Sequence, residues 1–265
     1  MKDLLVASVF VGSPRNETWI RLQKDFLQRT TSSFDHAVYL NRCPWSSSFE
    51  GTSVIGARSE KVTTGPTKQS ADHAVCLTAI FEYFQEHRNE YSYFLILDSD
   101  CFPVRCDWLP ALVRRLKDRF HFAAPLRSEN LEDFPHPCAV FLTQEALRRP
   151  WSFAVKPFTN LLGKDWPDVG CSLPREGWYP LLRTNVYNPH PVFAAIYRYF
   201  YHHGNGSRSL KFKSEKYYNE IDHARAEADL YAQLTTDPQQ LIAQLLEPKP
   251  TVNALRSQEE EGHAC

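Results

Sequence analysis

The amino-acid sequence predicts an α/β fold: a single domain with a mixed, mostly parallel central sheet flanked by helices, followed by a helical C-terminal extension. Two observations predict it. Short apolar runs typical of buried strands alternate along the chain with longer amphipathic segments typical of helices. The chain also has 265 residues, of which 43% are hydrophobic and 23% charged, and a chain of that size and composition can bury one full core.

The first half of the chain is predicted to contain three strands and two helices. Apolar runs indicate buried strands at residues 4–11, 37–40 and 91–97. Helices are expected at residues 17–29, with Asn16 as N-cap, and at residues 68–88, where apolar residues recur at three- and four-residue spacing. Residues 43–67 are rich in Ser, Gly and Thr, so we expect a long loop there, which is usually functional or mobile.

The second half alternates less regularly. Two strands are expected at residues 122–125 and 138–142. Helices are expected at residues 108–120, 215–234 and 238–246, the first capped by Asp107, and a short helix should follow Thr143. An aromatic, proline-rich region spans residues 151–188, and an apolar run spans residues 193–201. Residues 249–265 are expected to be disordered because the segment is polar and terminal.

The composition excludes several classes of protein. A formal net charge of -1 argues against nucleic acid as the main partner. The seven cysteines are odd in number and form no CxxC pair, which argues against a disulfide framework or a zinc site. The apolar run after Met1 is too short to span a membrane and has no basic segment before it, so we expect a first strand, no transmembrane segment and a cytoplasmic protein.

The central predicted strand ends in two carboxylates. The apolar run from Tyr91 leads into Asp98-Ser99-Asp100. Paired carboxylates repel and raise each other's pKa unless a cation lies between them. A divalent ion such as Mg²⁺ or Mn²⁺ is the simplest neutralising partner, because it prefers carboxylate oxygens and keeps positions open for phosphates. The alternative is that one aspartate only caps the turn into the next helix.

The end of the first strand offers a second candidate site. Gly12-Ser13-Pro14-Arg15 lies between the strand and the following helix, an arrangement that commonly presents backbone N–H groups to a nucleotide. The sequence has neither the dinucleotide motif GxGxxG nor the phosphate-binding motif GxxxxGK[ST] at this position, so neither of those folds is predicted.

These motifs together resemble the GT-A superfamily of glycosyltransferases, which use nucleotide-sugar donors. The resemblance spans about residues 4–210. It rests on Asp98-Ser99-Asp100 after an apolar strand, on the helix that opens with Lys68 and His73, and on the late segment His202-His203-Gly204-Asn205-Gly206-Ser207-Arg208. It implies a GT-A-like, Rossmann-like domain over residues 1–210, with a nucleotide-binding half at about 1–103 and an acceptor half at about 104–210. A helical extension would follow at 211–248, before the tail at 249–265.

The resemblance also implies a Mn²⁺ or Mg²⁺ site. Asp100 corresponds to the metal ligand of the pair and Asp98 to its partner, which reaches the ribose or a metal-bound water. A histidine shortly before a glycine turn is the third ligand in many members; His203 matches it best, and His202 is the competing choice. Arg208 would offer a fork that fits phosphate oxygens.

The donor nucleotide would lie along the first half of the chain. The resemblance places Gly12, Ser13 and Asn41 beside the nucleotide, although each also fits an ordinary turn. Arg15 and Lys68 are candidates for the diphosphate or base pocket, although each also fits a solvated surface charge. The remaining residues that the resemblance assigns to donor binding are His73, Ser99 and Arg208.

The transfer step needs a base only if the anomeric centre is inverted. Asp168, in the segment Trp166-Pro167-Asp168-Val169-Gly170, corresponds loosely to the acidic residue that many inverting members carry. It could equally cap a helix over residues 170–175. If configuration is retained, no base is required, and Asp168 would hold the acceptor or the donor sugar.

The resemblance therefore predicts a hexosyltransferase-like enzyme that moves a sugar from a nucleoside-diphosphate sugar, with UDP-sugar favoured, to a hydroxyl of a glycan or glycolipid. By analogy it would act in polysaccharide biosynthesis, in the cytoplasm or peripherally at the inner face of the membrane. Two alternatives remain: a phosphohydrolase of the haloacid-dehalogenase type, in which the first aspartate is the nucleophile, and a non-catalytic module that binds sugar nucleotides.

Overall fold

A computed structural model describes residues 2–60, 68–117, 119–130, 132–159, 165–185, 189–190, 193–204 and 223–247. The strands are β1 (Lys2–Val11), β2 (Asp35–Asn41), β3 (Ser53–Arg58), β4 (Tyr91–Asp98), β5 (Cys101–Pro103), β6 (Phe122–Leu126), β7 (Ala139–Thr143), β8 (Lys156–Thr159), β9 (Asp165–Asp168), β10 (Trp178–Leu182), β11 (Ala195–Tyr197) and β12 (Phe200–His202). The helices are α1 (Asn16–Thr30), α2 (Lys68–Glu86), α3 (Trp108–Arg115), α4 (Gln144–Leu147), α5 (His223–Thr236) and α6 (Pro238–Leu246).

The central sheet has seven strands in the order β10-β6-β7-β4-β1-β2-β3. Neighbouring strands pair in parallel from β4 to β3, and β10 pairs in parallel with β6. Strand β7 runs antiparallel to both β4 and β6. The sheet is therefore mixed and mostly parallel, which confirms the predicted α/β fold class, and the carboxyl ends of β1, β2, β3, β4, β6 and β10 meet at one edge.

Both faces of the sheet are covered. One face packs against α2, where side chains such as Ile80 and Phe84 meet Phe94 and Ile96 of β4. The opposite face packs against α3 near Trp108, and further along against α1, α5 and α6. Strand β4 is thus buried on both sides, as its unbroken apolar run predicts.

A small antiparallel sheet lies beyond the end of β4. Its order is β11-β12-β5, with His202 of β12 opposite Cys101 of β5. Because β5 follows β4 after Ser99 and Asp100, this pairing brings the end of β12 to the two predicted carboxylates.

One predicted helix cap is wrong, and a second is right in its position only. Helix α1 begins at Asn16 itself, and the Asn16 side chain turns back to donate from Nδ2 to the Val11 carbonyl oxygen at 2.7 Å. Asp107 stands at the N-cap position of α3 but makes no capping hydrogen bond, because its carboxylate accepts from Arg105 Nε at 2.9 Å. Thr143 does cap α4 as predicted, accepting from the Ala146 N–H at 3.3 Å.

Several other boundaries differ from the predictions. Strand β3 lies in the segment predicted as a loop, and strands β8, β9 and β10 lie in the irregular region 151–188. Helix α3 stops at Arg115, short of residue 120. Helix α6 has the predicted bounds, and α5 covers the predicted helix from His223 onward; residues 215–222 of that prediction lie outside the described residues. The predicted tail at 249–265 lies outside the described residues.

Within the described residues, none of the helices has the length and apolar character needed to cross a membrane.

Candidate functional site

The candidate site is built where β4 ends at the carboxyl edge of the sheet. Asp98 is the last residue of β4, and its partner in the parallel ladder is Val9 of β1. Gln23 of α1 holds the turn after it: its Nε2 donates to the Asp98 carbonyl oxygen at 3.0 Å and to the Cys101 carbonyl oxygen at 2.8 Å. The backbone around Ser99 and Asp100 is therefore fixed from behind by a buried amide.

Three side chains converge there. One ligand atom from each of Asp98, Asp100 and His202 lies within 4.8 Å of the other two, and Asp100 Oδ1 is 3.7 Å from His202 Nε2. Asp100 and His202 are buried, at 5% and 8% exposure. Burial alone would lower the pKa of His202, but the contact with Cys138 and the carboxylates of Asp100 and Asp98 raise it to about 9. Without another cation, the imidazole therefore carries a proton at neutral pH.

These residues fit a divalent cation. Two carboxylates and an imidazole supply oxygen and nitrogen donors of the kind that Mn²⁺ and Mg²⁺ accept, and three protein ligands leave further positions open. Within the described part of the chain, no other three His, Cys, Asp or Glu side chains come close enough to share an ion. The spacing supports the metal interpretation of the Asp pair over a capping role.

His73 of α2 is the next neighbour of the pair. Its Nε2 lies 2.9 Å from Asp98 Oδ1. Burial would lower the pKa of His73, but Asp98, through its charge and hydrogen bond, raises it, with further contributions from Asp168 and Asp100. Burial would raise the pKa of Asp98, but the charge and hydrogen bond of His73 hold it below its ordinary value. His73 thus lies against Asp98, where its protonated form is favoured; its role in donor binding stays a prediction.

His203, the preferred third ligand at the sequence level, points away from the aspartates. It is completely buried; its Nδ1 hydrogen-bonds with the Tyr201 hydroxyl at 2.7 Å and its Nε2 lies 3.1 Å from Glu227 Oε1. Its ring packs against Trp19, 5.1 Å between centroids. The structure therefore places the competing choice, His202, with the two carboxylates.

The predicted nucleotide residues at the ends of β1 and β2 lie side by side. The Gly12 N–H donates to the Asn41 carbonyl oxygen at 3.0 Å. A Cβ on Gly12 would stand 2.3 Å from the carbonyl oxygen of Arg42, so only glycine allows this close approach. Ser13 Oγ accepts from the Arg15 N–H at 3.3 Å, and Asn41 is fully buried.

The other predicted donor residues are distributed differently. Arg15 does not face the aspartates; its guanidinium pairs with Glu227 of α5. Ser99 is buried between the two carboxylates in the chain. The Lys68 side chain and Arg208 lie outside the described residues.

Asp168, at the end of β9, makes a local turn. Its Oδ1 accepts from the Gly170 N–H at 3.0 Å, just before the 3-10 turn Gly170–Ser172. Its charge nevertheless acts on the site, since it contributes to the raised pKa values of His73 and Arg127. Asp168 therefore forms a local turn and does not cap a helix over residues 170–175; its role as base or sugar ligand stays a prediction.

The sequence reasoning missed a layer of charged groups beside His202. Arg127, after β6, contacts His136 Nε2 through its guanidinium and lies 3.7 Å from Glu132, and the ring of His136 is 5.9 Å from that of His202. In the same layer the Tyr197 hydroxyl donates to the Glu129 carboxylate. The sequence did contain a signal for these groups: residues 127–137 form a polar, proline-rich connection between two apolar strands, and such loops often carry binding groups.

The fold and the site together define an α/β protein with a candidate divalent-cation site at the carboxyl edge of its central sheet. No family model and no curated protein sequence matches this chain.

Solved structures of glycosyltransferases are similar to it. A galactosyltransferase, LgtC, in complex with donor and acceptor sugar analogues is 11% identical over 91% of this chain and 99% of its own, with a TM-score of 0.48. A mannosyltransferase from Pyrobaculum calidifontis, in complex with GDP-Man and Mn²⁺, is 11% identical over 58% of this chain and 50% of its own, with a TM-score of 0.39.

A glycosyltransferase involved in glycosylation of the major capsid of PBCV-1 is 14% identical over 55% of this chain, with a TM-score of 0.32, and the match spans 62% of that protein's length.

Proposed function

We propose that this protein is a metal-dependent glycosyltransferase of the GT-A type, which transfers a sugar from a nucleoside-diphosphate sugar to a hydroxyl of a glycan or glycolipid. The observation that carries the proposal is the convergence of Asp98, Asp100 and His202 within 4.8 Å at the carboxyl edge of the sheet. Open α/β sheets bind their ligands at this edge. In this proposal residues 1–103 form the donor half and residues 104–210 the acceptor half.

A cation held by Asp98, Asp100 and His202 would stabilise the negative charge that develops on the leaving diphosphate. Mn²⁺ and Mg²⁺ both suit the ligands.

The chain's own cations would assist in holding the donor. His73 and Arg127 border the site, and the surrounding carboxylates raise the pKa of both above the ordinary values, against the effect of burial. Arg127 is therefore a cation and the protonated form of His73 is favoured, so both can attract a diphosphate. Gly12, Ser13 and Asn41 lie together at the ends of β1 and β2, where the nucleotide of a UDP-sugar would extend from the metal site.

Asp168 is the proposed acceptor-side carboxylate. Gly170 N–H holds one of its oxygens, which fixes the side chain direction. If the transfer inverts the anomeric centre, Asp168 takes the proton of the attacking hydroxyl. If the transfer retains configuration, Asp168 binds a sugar hydroxyl. We further propose that the protein acts in polysaccharide biosynthesis, in the cytoplasm or peripherally at the inner face of the membrane.

Thermal-shift measurements with UDP, GDP and CDP, each with and without Mn²⁺ or Mg²⁺, test the proposal. We expect at least one nucleotide to raise the Tm in the presence of the ion and to have little effect without it. Asp100→Asn is the matched variant: it keeps the shape of the side chain and should lose the ion-dependent shift while still melting cooperatively. The absence of a shift with every pair would refute the proposal.

No observation favours the phosphohydrolase alternative. The other alternative, a non-catalytic module, would bind the nucleotide without consuming the donor, and an assay of nucleotide release from the sugar nucleotide separates the two.

A further inference from the structure

Two residues that the sequence assigns to the site, Arg15 and His203, meet instead at Glu227 of helix α5. Glu227 is 2% exposed. Arg15 donates from Nη1 to Glu227 Oε1 and from Nη2 to Oε2, the latter at 3.3 Å. His203 Nε2 lies 3.1 Å from the same Oε1. A single buried carboxylate thus joins the C-terminal helices to two separate parts of the chain.

The His203 contact leads to the metal ligands. The backbone N–H of His203 donates to the Asp100 carbonyl oxygen at 3.1 Å. Its ring is held on the other side by the Tyr201 hydroxyl at 2.7 Å. The neighbour of His203 in the chain is His202, whose imidazole faces the carboxylates. Fixing the His203 ring therefore fixes the end of β12 that carries His202.

The Arg15 contact leads to the turn after β1. Arg15 is the last residue of the turn that begins at Gly12. Its guanidinium also stacks over the ring of Tyr231 of α5, 3.9 Å from the ring centroid. The turn at the proposed nucleotide position is therefore held from α5 by an ion pair and by a cation–π contact.

Docking of the C-terminal helices does not by itself require these charges. Their apolar side chains already join the core that α1 and β12 share; they are Leu230, Leu234, Leu241, Ile242 and Leu245. Burial would raise the pKa of Glu227, but hydrogen bonds from His203 and Arg15 hold it below its ordinary value, so the group is ionised. Buried ion pairs are weak contributors to net stability, and one of their roles is to specify a single geometry.

We propose that Glu227 is a positioning residue for the cation site: through His203 it sets the end of β12 that presents His202, and through Arg15 it sets the turn after β1. The inference rests on the proposed function, since its ligand is the cation assigned there. Residues that orient the ligands of a metal commonly change its affinity by about 10- to 100-fold when they are replaced.

The test compares Glu227→Gln with Leu234→Ala. Leu234 is fully buried on the same helix, so its truncation weakens helix docking without removing the carboxylate. Mn²⁺ affinity is measured by titration calorimetry, the Tm by thermal melting, and exchange of the His203 amide by hydrogen exchange without metal. We expect Glu227→Gln to weaken Mn²⁺ binding about tenfold or more and to speed exchange of the His203 amide. Leu234→Ala should lower the Tm and leave the Mn²⁺ affinity within about twofold of the wild type.

Glu227→Asp keeps the charge, and it should recover part of the affinity lost in the Gln variant; it also serves if Glu227→Gln does not melt cooperatively. Equal Mn²⁺ affinity in the wild type and Glu227→Gln overturns the inference and leaves the proposed function standing. An equal loss of affinity in Glu227→Gln and Leu234→Ala overturns it as well, because docking alone would then explain the effect. Failure of the wild type itself to bind Mn²⁺ or Mg²⁺ refutes the proposed function.

Discussion

The pH dependence of metal binding follows from the surroundings of His202. With its pKa raised to about 9 by Cys138, Asp100 and Asp98 against the effect of burial, the imidazole is protonated at pH 7. A cation must displace that proton before the ring nitrogen can bind it. The affinity should therefore rise with pH until about pH 9 and then level off.

The size of the effect follows from the same value. Between pH 7 and a pKa of about 9 the deprotonated fraction changes about tenfold for each pH unit, so the affinity at pH 7 should lie about 100-fold below its limit. This factor corresponds to about 2.7 kcal/mol of binding free energy. The pKa of His73 is also raised beside Asp98. If His73 also releases a proton when the cation binds, the metal affinity will depend more steeply on pH.

Titration calorimetry with Mg²⁺ between pH 6.5 and 8.5 measures the slope directly. His202→Gln should bind Mg²⁺ more weakly, and the logarithm of its affinity should rise by about one unit less per pH unit than that of the wild type. His87→Gln is the matched control, because His87 lies after α2 at the opposite edge of the sheet and hydrogen-bonds there with the Tyr83 carbonyl oxygen at 2.9 Å. Wild-type affinity that stays constant over this range would refute His202 as a proton-linked ligand.

Three further variants test other parts of the structure. Asp168→Asn should lower kcat by about 10²- to 10⁴-fold with donor affinity unchanged if Asp168 is the base; a lower Tm with normal kcat would show that it only forms the turn to Gly170. Gly12→Ala should cost about 1–3 kcal/mol of unfolding free energy in urea titrations and weaken nucleotide binding, because its Cβ would stand 2.3 Å from the Arg42 carbonyl oxygen; wild-type values for both would contradict this close approach. Thr143→Ala should cost about 1 kcal/mol of unfolding free energy, since Thr143 caps α4; an unchanged urea midpoint would contradict that contribution.

The parts of the fold that the sequence predicted well are those with one dominant signal. Strand β4 is buried on both faces and reads as an unbroken apolar run, and the polar residues that end it, Asp98 and Asp100, stand out for that reason. Strand β3 lies at the edge of the sheet, where its residues, Val54 and Ile55 included, are exposed or half-exposed, and Gly56 interrupts its short apolar run. Its sequence therefore resembles a loop.

The choice between His202 and His203 shows a limit of a different kind. Neighbouring residues at the end of a strand point to opposite sides, so one histidine must face the carboxylates and the other must face the core. The sequence around them does not say which. The answer depends on the pairing of β12 with β5 and on the buried Glu227, which lies 24 residues beyond His203.

The antiparallel strand β7 has a consequence for how this protein could diversify. Because it returns between β4 and β6, the link from β6 to β7 is a hairpin that rises over the same edge as the aspartates, bringing Arg127 and His136 beside His202. Lengthening or changing that hairpin would alter the groups beside His202 while the four parallel strands β4, β1, β2 and β3 stay in register. Under the proposed function, acceptor selectivity would thus change through a single segment of the chain, without disturbing the aspartates at the end of β4.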